Sequence, residues 1–289
     1  MKPFEYRAPR SLDEVVELLG ARREQARVLA GGTDVYPRME QGVMRPELLV
    51  DLKRVQGLAS VAVDDGQGAR IGALALMAEL VDSRELRARY PALIEGARWV
   101  GSLQIRNRAT LGGNLCNASP AADTAIPVLA LGALLRTRGP RGERTIPVDS
   151  FFQGPGRAAL EPDEVLTEVI LPALPPRSGQ AFERLTRTAM DIAVVSCSAV
   201  VSLDPRGRCL GARLALGAVA PVPLRATAAE QLLQGERLTP AAIRAAAAQA
   251  RAEARPITDV RASAEYRREM VEVLARRVLQ AAADQVERG

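Results

Sequence analysis

Residues suited to holding an anion cluster in the segment from Thr110 to Asp123, which contains two adjacent glycines followed by an asparagine. Gly112 and Gly113 lack a Cβ, so the backbone there can approach a bulky anion and tolerates positive φ angles. Successive N–H groups in such a turn form a concave site for a phosphate. Ser119 and Asp123 stand where an apolar helix begins, a position that favours hydrogen-bond acceptors and negative groups. The segment therefore predicts a phosphate-binding loop.

A second glycine pair lies upstream, in the segment Leu29–Tyr36. The run Arg27–Ala30 before it predicts a buried strand, and α/β sheets bind ligands in loops at the carboxyl ends of their strands. Each pair alone has an ordinary interpretation, since Gly31-Gly32 also suits a plain tight turn and Gly112-Gly113 also suits helix packing. Two such segments together fit a ligand with two linked phosphates better than a mononucleotide.

The composition excludes several other chemistries. The 289 residues include no histidine, which excludes histidine acid–base catalysis, histidine metal ligands and a histidine-linked flavin. Cys116, Cys197 and Cys209 lack the spacing of a metal site, and a protein-bound iron–sulfur cluster normally needs four thiolates. We therefore expect no metal ligands in this chain. Free thiols in a chain of this size suit a reducing compartment, so a cytoplasmic location is expected.

Charge and hydropathy argue against nucleic-acid and membrane binding. The chain has 39 Lys and Arg against 34 Asp and Glu, a net charge of +5, and the arginines alternate with acids along predicted helices. That pattern is typical of a solvated surface, and aromatic residues that could stack on bases make up only 3%. No apolar run is long enough to span a bilayer. Met1–Arg10 carries charges without an apolar stretch, so no signal peptide is expected.

The pattern of elements predicts three successive units. Residues 1–57 predict a small β-α-β unit, whose helix opens with a capping box at Ser11 and Glu14. Residues 58–176 predict a second α/β unit, with a hairpin turn at Asp64-Asp65-Gly66 and an apolar helix at Thr124–Leu131. A proline-rich stretch at 172–176 marks the linker to the remaining residues.

Residues 177–289 predict a three-stranded sheet covered by helices. The expected strands are Ala181–Leu185, Ile192–Leu203 and Cys209–Gly217. Thr239, followed by proline, opens an alanine-rich helix, and Ser263 opens the last helix.

Six short motifs connect these units to a known family. They are Leu29–Tyr36, Gln104–Asn107, Thr110–Asp123, Phe182–Ala193, Leu216–Pro221 and Ala254–Ser263. Each is weak alone, but in this order and spacing the chain resembles the FAD-binding medium subunit of the molybdenum hydroxylases, the group of xanthine dehydrogenase and carbon monoxide dehydrogenase.

This resemblance implies an α+β fold. It comprises a PCMH-type FAD-binding domain of two α/β subdomains, about 1–57 and 58–176, and a C-terminal three-stranded sheet with helices at 177–289. It also implies that the chain has no catalytic side chain of its own. A large subunit with a molybdenum cofactor would oxidise the substrate, and a small subunit with two [2Fe-2S] clusters would relay electrons. FAD in this chain would pass them to an external acceptor, within a dimer of heterotrimers.

The resemblance also assigns cofactor contacts by position. Ala30–Asp34 match the first pyrophosphate loop, and the second glycine segment matches the other. Ser119 and Asp123 match positions near the ribityl chain and the isoalloxazine ring, and Leu166 matches an apolar position beside the ring. Arg184 stands at or next to a position where relatives usually have lysine, which leaves its contact open. The implied cofactor-binding residues are Leu29, Ala30, Gly31, Gly32, Thr33, Asp34, Val35, Tyr36, Thr110, Gly112, Gly113, Asn114, Ser119, Asp123, Leu166 and Arg184.

Several residues keep an ordinary alternative. Asp123 also suits a helix N-cap. Arg106 and Arg108 suit contacts to phosphate or to a partner, and equally suit surface ion pairs. Trp99 and Tyr36 suit the core as well as the surroundings of a flavin.

The sequence leaves three alternative functions, which are a standalone FAD-dependent oxidase or dehydrogenase, a flavin-free partner subunit or nucleotide sensor, and an NAD-binding Rossmann protein. Standalone relatives usually carry a larger substrate domain and often a histidine tether, and no GxGxxG follows the first strand.

Overall fold

The computed structural model describes residues 2–64 and 66–288. Asp65 of the predicted hairpin turn lies outside the described residues, as do Met1 and Gly289. Within the described part of the chain, the strands form four sheets, which have three, five, four and two strands.

The first unit is a parallel three-stranded sheet in the order β1-β3-β2. Its elements are β1 (Glu5–Arg7), α1 (Leu12–Arg22), β2 (Ala26–Leu29), α2 (Val35–Glu40) and β3 (Leu48–Asp51). Helix α1 begins where predicted, because Ser11 Oγ accepts a hydrogen bond from Glu14 N. The Glu14 carboxylate reaches back to Arg10 N rather than to Ser11 N. The first glycine segment follows β2, at the carboxyl end of this sheet.

The second unit packs helices against an antiparallel sheet in the order β4-β5-β10-β6-β7. Ile71 and Val169 of the sheet and Leu93 and Leu129 of the helices are buried in one core. Its elements are β4 (Val61–Asp64), β5 (Gly68–Gly72), α3 (Met77–Asp82), α4 (Arg84–Arg89), α5 (Pro91–Arg98), α6 (Leu103–Arg106), α7 (Leu111–Cys116), α8 (Ala125–Leu131), β6 (Leu134–Gly139), β7 (Gly142–Pro147), β8 (Phe152–Gly154), β9 (Arg157–Ala158) and β10 (Val165–Leu171).

The C-terminal unit is an antiparallel sheet with helices on one side. It has the three long strands expected from the sequence and a fourth strand of two residues. Its elements are β11 (Ser178–Leu185), β12 (Val195–Leu203), β13 (Cys209–Gly217), β14 (Leu224–Arg225), α9 (Thr227–Leu233), α10 (Pro240–Glu253) and α11 (Ala264–Arg288). As predicted, Thr239 caps α10, and Ser263 Oγ accepts a hydrogen bond from Tyr266 N at the start of α11. No helix in the described residues is long and apolar enough to cross a membrane.

The C-terminal sheet shares a core with the second unit. Phe182, Val200 and Ala215 of the sheet belong to the same buried cluster as Leu93 and Ile126. The chain on either side of the proline-rich stretch is therefore packed together through apolar contacts, and this packing fixes the walls of the site described next.

Candidate cofactor site

A cavity of about 1030 Å³ is lined by all three units. Two residues of the predicted set do not line it: Leu29 is buried in the core, and the ring of the partly exposed Tyr36 packs against Gly32. The predicted residues that do line it are Ala30, Gly31, Gly32, Thr33, Asp34, Val35, Thr110, Gly112, Gly113, Asn114, Ser119, Asp123, Leu166 and Arg184.

The first glycine segment presents free backbone donors. The N–H groups of Gly31, Gly32 and Thr33 donate to no acceptor among the described residues. Gly32 has a φ of +79°, which side-chain-bearing residues rarely adopt. A Cβ on Gly31 would lie 1.9 Å from the carbonyl oxygen of Arg108, so that position has no room for any side chain. The segment therefore has the row of unpaired N–H groups that an anion-binding nest requires.

The second glycine segment is the first turn of helix α7 rather than the predicted turn. Thr110 caps this helix, accepting a hydrogen bond from Gly113 N at 3.0 Å through Oγ1 and one from Asn114 N through its carbonyl. Gly112 N donates to Ala73 O, and a Cβ on Gly112 would lie 2.7 Å from that oxygen. The predicted turn is therefore wrong, whereas binding of the diphosphate by this segment stays a prediction. These glycines instead allow α7 to pack closely.

The two glycine segments lie against each other. Gly31 abuts the Arg108 carbonyl just before α7, and a Cβ on Gly113 would lie 3.8 Å from the Cβ of Ala30. Both segments line the same cavity. The structure thus brings the two predicted segments into one cleft, with the free donors on the first.

A buried ion pair lies at the part of the cavity formed by the C-terminal sheet. Arg184 Nη1 donates to Asp123 Oδ2 at 2.6 Å, and Arg184 Nη2 donates to the carbonyl of Asp191 at 2.9 Å. The guanidinium stands 4.9 Å from the centroid of the Trp99 ring. Asp123 Oδ1 and Arg184 Nε are buried with no partner among the described residues. The pair therefore places one negative and one positive group in the wall of the cavity.

Burial shapes the electrostatics of this pair. Asp123 does not cap α8, whose N-cap is Thr124. Desolvation raises the pKa of Asp123 to about 6, and the lowering effect of Arg184 only partly offsets it. The carboxyl can therefore exchange a proton at a pH close to neutral.

Three other predicted residues have defined places. Asn114 Oδ1 accepts a hydrogen bond from the Thr124 hydroxyl at 2.6 Å, which ties α7 to the start of α8. Ser119 Oγ accepts one from Ala121 N at 3.3 Å. Leu166, on β10, is 3% exposed and supplies an apolar part of the wall.

Sequence reasoning missed cavity residues that only tertiary contacts reveal. Arg38 on α2 lines the cavity and donates to Asn117 Oδ1 at 3.4 Å, with no carboxylate within ion-pair distance among the described residues. Arg144 lines it too, paired with Glu164 at 2.6 Å. Trp99 lies in the lining and is 37% exposed, so the core interpretation of that residue is wrong. Nothing in the local sequence around either arginine marks it.

The cavity thiol is not set up for reaction. Cys116 lines the cavity, and burial raises the pKa of its thiol to about 12, so it is protonated at neutral pH. Cys197 and Cys209 are buried and free. Within residues 2–64 and 66–288 no cluster of His, Cys, Asp and Glu could hold a metal ion.

These features fit FAD. Its diphosphate matches the free N–H groups of the first segment, and the polar edge of its flavin ring suits a wall that contains the charged groups of Asp123 and Arg184. The fold and the site together are those of a protein that binds a flavin dinucleotide.

Comparisons with known proteins support the binding of FAD. Residues 2–174 match the family described as the FAD binding domain in molybdopterin dehydrogenase, and residues 180–282 match the CO dehydrogenase flavoprotein C-terminal domain. The carbon monoxide dehydrogenase medium chain of Hydrogenophaga pseudoflava is 37% identical over 279 residues, 96% of each chain. The xanthine dehydrogenase FAD-binding subunit of Escherichia coli is 34% identical, covering 95% of this chain and 94% of that one.

Solved structures agree as well. Carbon monoxide dehydrogenase from Hydrogenophaga pseudoflava superposes with a TM-score of 0.93 at 37% identity over 98% of both chains. Quinoline 2-oxidoreductase from Pseudomonas putida 86 superposes with a TM-score of 0.91 at 30% identity over 99% of both. The chain belongs to the family of FAD-binding medium subunits of molybdenum hydroxylases, which confirms the resemblance, the α+β fold class and the oxidoreductase role.

Proposed function

We propose that this chain transfers electrons within a molybdenum-containing hydroxylase. It takes them from the [2Fe-2S] clusters of a small partner subunit and passes them to an external acceptor. A large subunit with the molybdenum cofactor carries out the substrate chemistry, and the assembly is a dimer of heterotrimers in the cytoplasm. The observation that carries this proposal is the row of free N–H groups at Gly31–Thr33, facing the same cavity as the buried pair Asp123 and Arg184.

The chain's own residues bind and tune rather than react. Bound FAD supplies the one- and two-electron chemistry. Gly31–Thr33 hold the diphosphate, and Arg38 adds a positive charge on the neighbouring helix. Asp123 and Arg184 set the charge beside the ring, and Asp123 can hold or release a proton near pH 6. Leu166 excludes water from the wall of the cavity.

Medium-chain relatives support the assignment of partners. Relatives at 37% and 34% identity are named as the medium chain of carbon monoxide dehydrogenase and as the FAD-binding subunit of xanthine dehydrogenase. The free thiols Cys116, Cys197 and Cys209 fit the reducing environment of the cytoplasm.

The test is to express the full chain alone and together with its small and large partner subunits. We expect the full chain to bind FAD in equal molar amount, with quenching of its single tryptophan, Trp99. In the assembly, adding the hydroxylase substrate should bleach the flavin absorbance, and the chain loaded with FAD alone should show no substrate turnover. A colourless chain that binds no FAD would overturn the proposal, and substrate turnover by the isolated chain would favour the standalone oxidase.

A further inference from the structure

Behind the first glycine segment lies a cation that does not line the cavity. Lys53 follows strand β3, and its Nζ donates to the carbonyl oxygen of Ala30 at 3.1 Å. Ala30 and Gly31 line the cavity, whereas Lys53 is absent from its lining. The ammonium group therefore contacts the segment without forming part of the cavity wall.

The geometry of the peptide group gives this contact a consequence. The Ala30–Gly31 peptide bond is trans, and in a planar trans peptide the C=O and the N–H point in opposite directions. When Lys53 holds the Ala30 carbonyl on one side, the Gly31 N–H is directed to the other side. That N–H is one of the donors without an acceptor among the described residues.

Lys53 is itself held in place. Its Nζ lies 2.7 Å from Asp51 Oδ1, and its backbone N donates to the same oxygen at 3.0 Å. Asp51 is 4% exposed, and its other oxygen accepts a hydrogen bond from the Tyr6 hydroxyl at 2.6 Å. Burial alone would raise the pKa of Asp51, but the hydrogen bonds from Lys53 and Tyr6 hold it below its usual range, so the carboxylate stays charged at neutral pH. The chain of contacts runs from β1 through β3 to the glycine segment.

We propose that Lys53 is a positioning residue for the FAD diphosphate, which orients the Ala30–Gly31 peptide so that the Gly31 N–H faces the ligand. This inference rests on the proposed binding of FAD in the cavity. Lys53 acts through the peptide rather than on the cofactor, because it bonds to the Ala30 carbonyl and does not line the cavity. Fixing the donor before the ligand arrives lowers the cost of ordering it on binding.

The test compares variants of the full chain by the quenching of Trp99 fluorescence on titration with FAD. Lys53→Met should raise the Kd for FAD about tenfold. Arg54→Met removes the same charge one residue along, from an exposed side chain with no hydrogen bond to the segment, and should change the Kd less than threefold. Lys53→Arg retains a long cationic donor and should recover most of the affinity.

A purely structural effect is tested with Tyr90→Phe. This change removes the hydrogen bond from the Tyr90 hydroxyl to the Pro172 carbonyl, away from Lys53 and from the cavity lining, so it should lower the Tm of the unliganded chain without changing the Kd for FAD. ADP, which carries the diphosphate without the flavin, should lose affinity for Lys53→Met by the same factor as FAD.

Equal Kd values for Lys53→Met and Arg54→Met would overturn the positioning role, as would a Tyr90→Phe variant that binds as weakly as Lys53→Met. Failure of the unmodified chain to bind FAD would instead overturn the proposed function, so the two failures are distinguishable.

Discussion

The packing around Gly31 is tight enough to test with a single methyl group. A Cβ there would lie 1.9 Å from the Arg108 carbonyl, so Gly31→Ala must push the first segment away from the start of α7. Overpacking of this kind costs about 1–3 kcal/mol, and the displaced N–H groups should raise the Kd for FAD at least tenfold. Gly211→Ala is the control, because a Cβ at that position meets no atom of the described residues within 4 Å. Equal FAD affinity in the two variants would contradict the packing argument.

The Asp123 carboxyl predicts a pH-dependent signal in the unliganded chain. Its pKa of about 6 means that it loses its charge as the pH falls through that value, which weakens its pair with Arg184. Arg184 stacks on Trp99, the single tryptophan, so tryptophan fluorescence should show an inflection near pH 6. Asp123→Asn should abolish the inflection. A wild-type titration that is flat between about pH 5 and 7 would rule out this protonation.

Protonation of the Asp123 carboxyl also makes the free energy of unfolding depend on pH. Because its pKa is raised from 3.8 to about 6 on folding, the folded state binds the proton more tightly than the unfolded chain. Its contribution to the free energy of unfolding is therefore greatest below about pH 4 and declines by up to about 3 kcal/mol as the pH rises through 6. Urea titrations of wild type and Asp123→Asn across this range should differ by that trend, and parallel pH profiles would contradict it.

At the residue scale, what the sequence could predict followed from local sterics. Position 32 has a φ of +79°, which favours glycine, and the Gly-Gly pair in the sequence indicates such a backbone conformation. The contact of Arg184 with Asp123 joins residues 61 positions apart, and its geometry depends on how β11 packs against the start of α8. No local pattern encodes that distance, which is why the contact of Arg184 stayed open and Arg38 was missed.

Among the elements, the cap of α7 links helix stability to the site. Thr110 Oγ1 accepts from Gly113 N, so Thr110→Ala should cost about 1 kcal/mol and loosen the second glycine segment. We expect the Kd for FAD to rise severalfold. Thr239→Ala removes an equivalent cap, in which Oγ1 accepts from Ala242 N at the start of α10, whose residues do not line the cavity.

The two variants should therefore lose similar stability in urea unfolding, while only Thr110→Ala weakens FAD binding in the fluorescence titration. An identical effect of both changes on FAD binding would show that the cap acts through global stability alone.

The elements that were predicted well are those whose ends carry side-chain caps. Ser11, Thr239 and Ser263 each begin a helix where expected, since a hydroxyl near the helix start satisfies an otherwise free N–H. The start of α7 was predicted as a turn because adjacent glycines tolerate positive φ angles and a close approach of the backbone to an anion. Tertiary hydrogen bonds, such as Gly112 N to Ala73 O, override that preference, and they involve a strand end far away in the sequence.

At the scale of the whole molecule, the domain boundary at residue 176 stays a prediction from the sequence. The three-part order was readable from periodicity and prolines, but the way the units share a core was not. Phe182 and Val200 have the alternation of an ordinary sheet, and only the assembled structure shows that they pack with Ile126 of α8. The cavity depends on this packing between the units, because Arg184 of the C-terminal sheet contacts Asp123 of the second unit there.

A shared core predicts that the chain unfolds in one cooperative transition. Phe182 belongs to the cluster that joins the two domains, whereas Leu279 belongs to the cluster inside the C-terminal unit. Phe182→Ala should cost about 3–5 kcal/mol and Leu279→Ala about 2–5 kcal/mol, and each should lower the midpoint of a single calorimetric transition. If the units were independent, Leu279→Ala would move only one of two transitions and leave the first 176 residues unaffected.

Tryptophan fluorescence adds a second probe of unfolding, since Trp99 lies outside the C-terminal unit. Its unfolding curve should shift with the calorimetric midpoint in the Leu279→Ala variant, because loss of the C-terminal sheet removes Arg184 from the ring and part of the core from beneath α8.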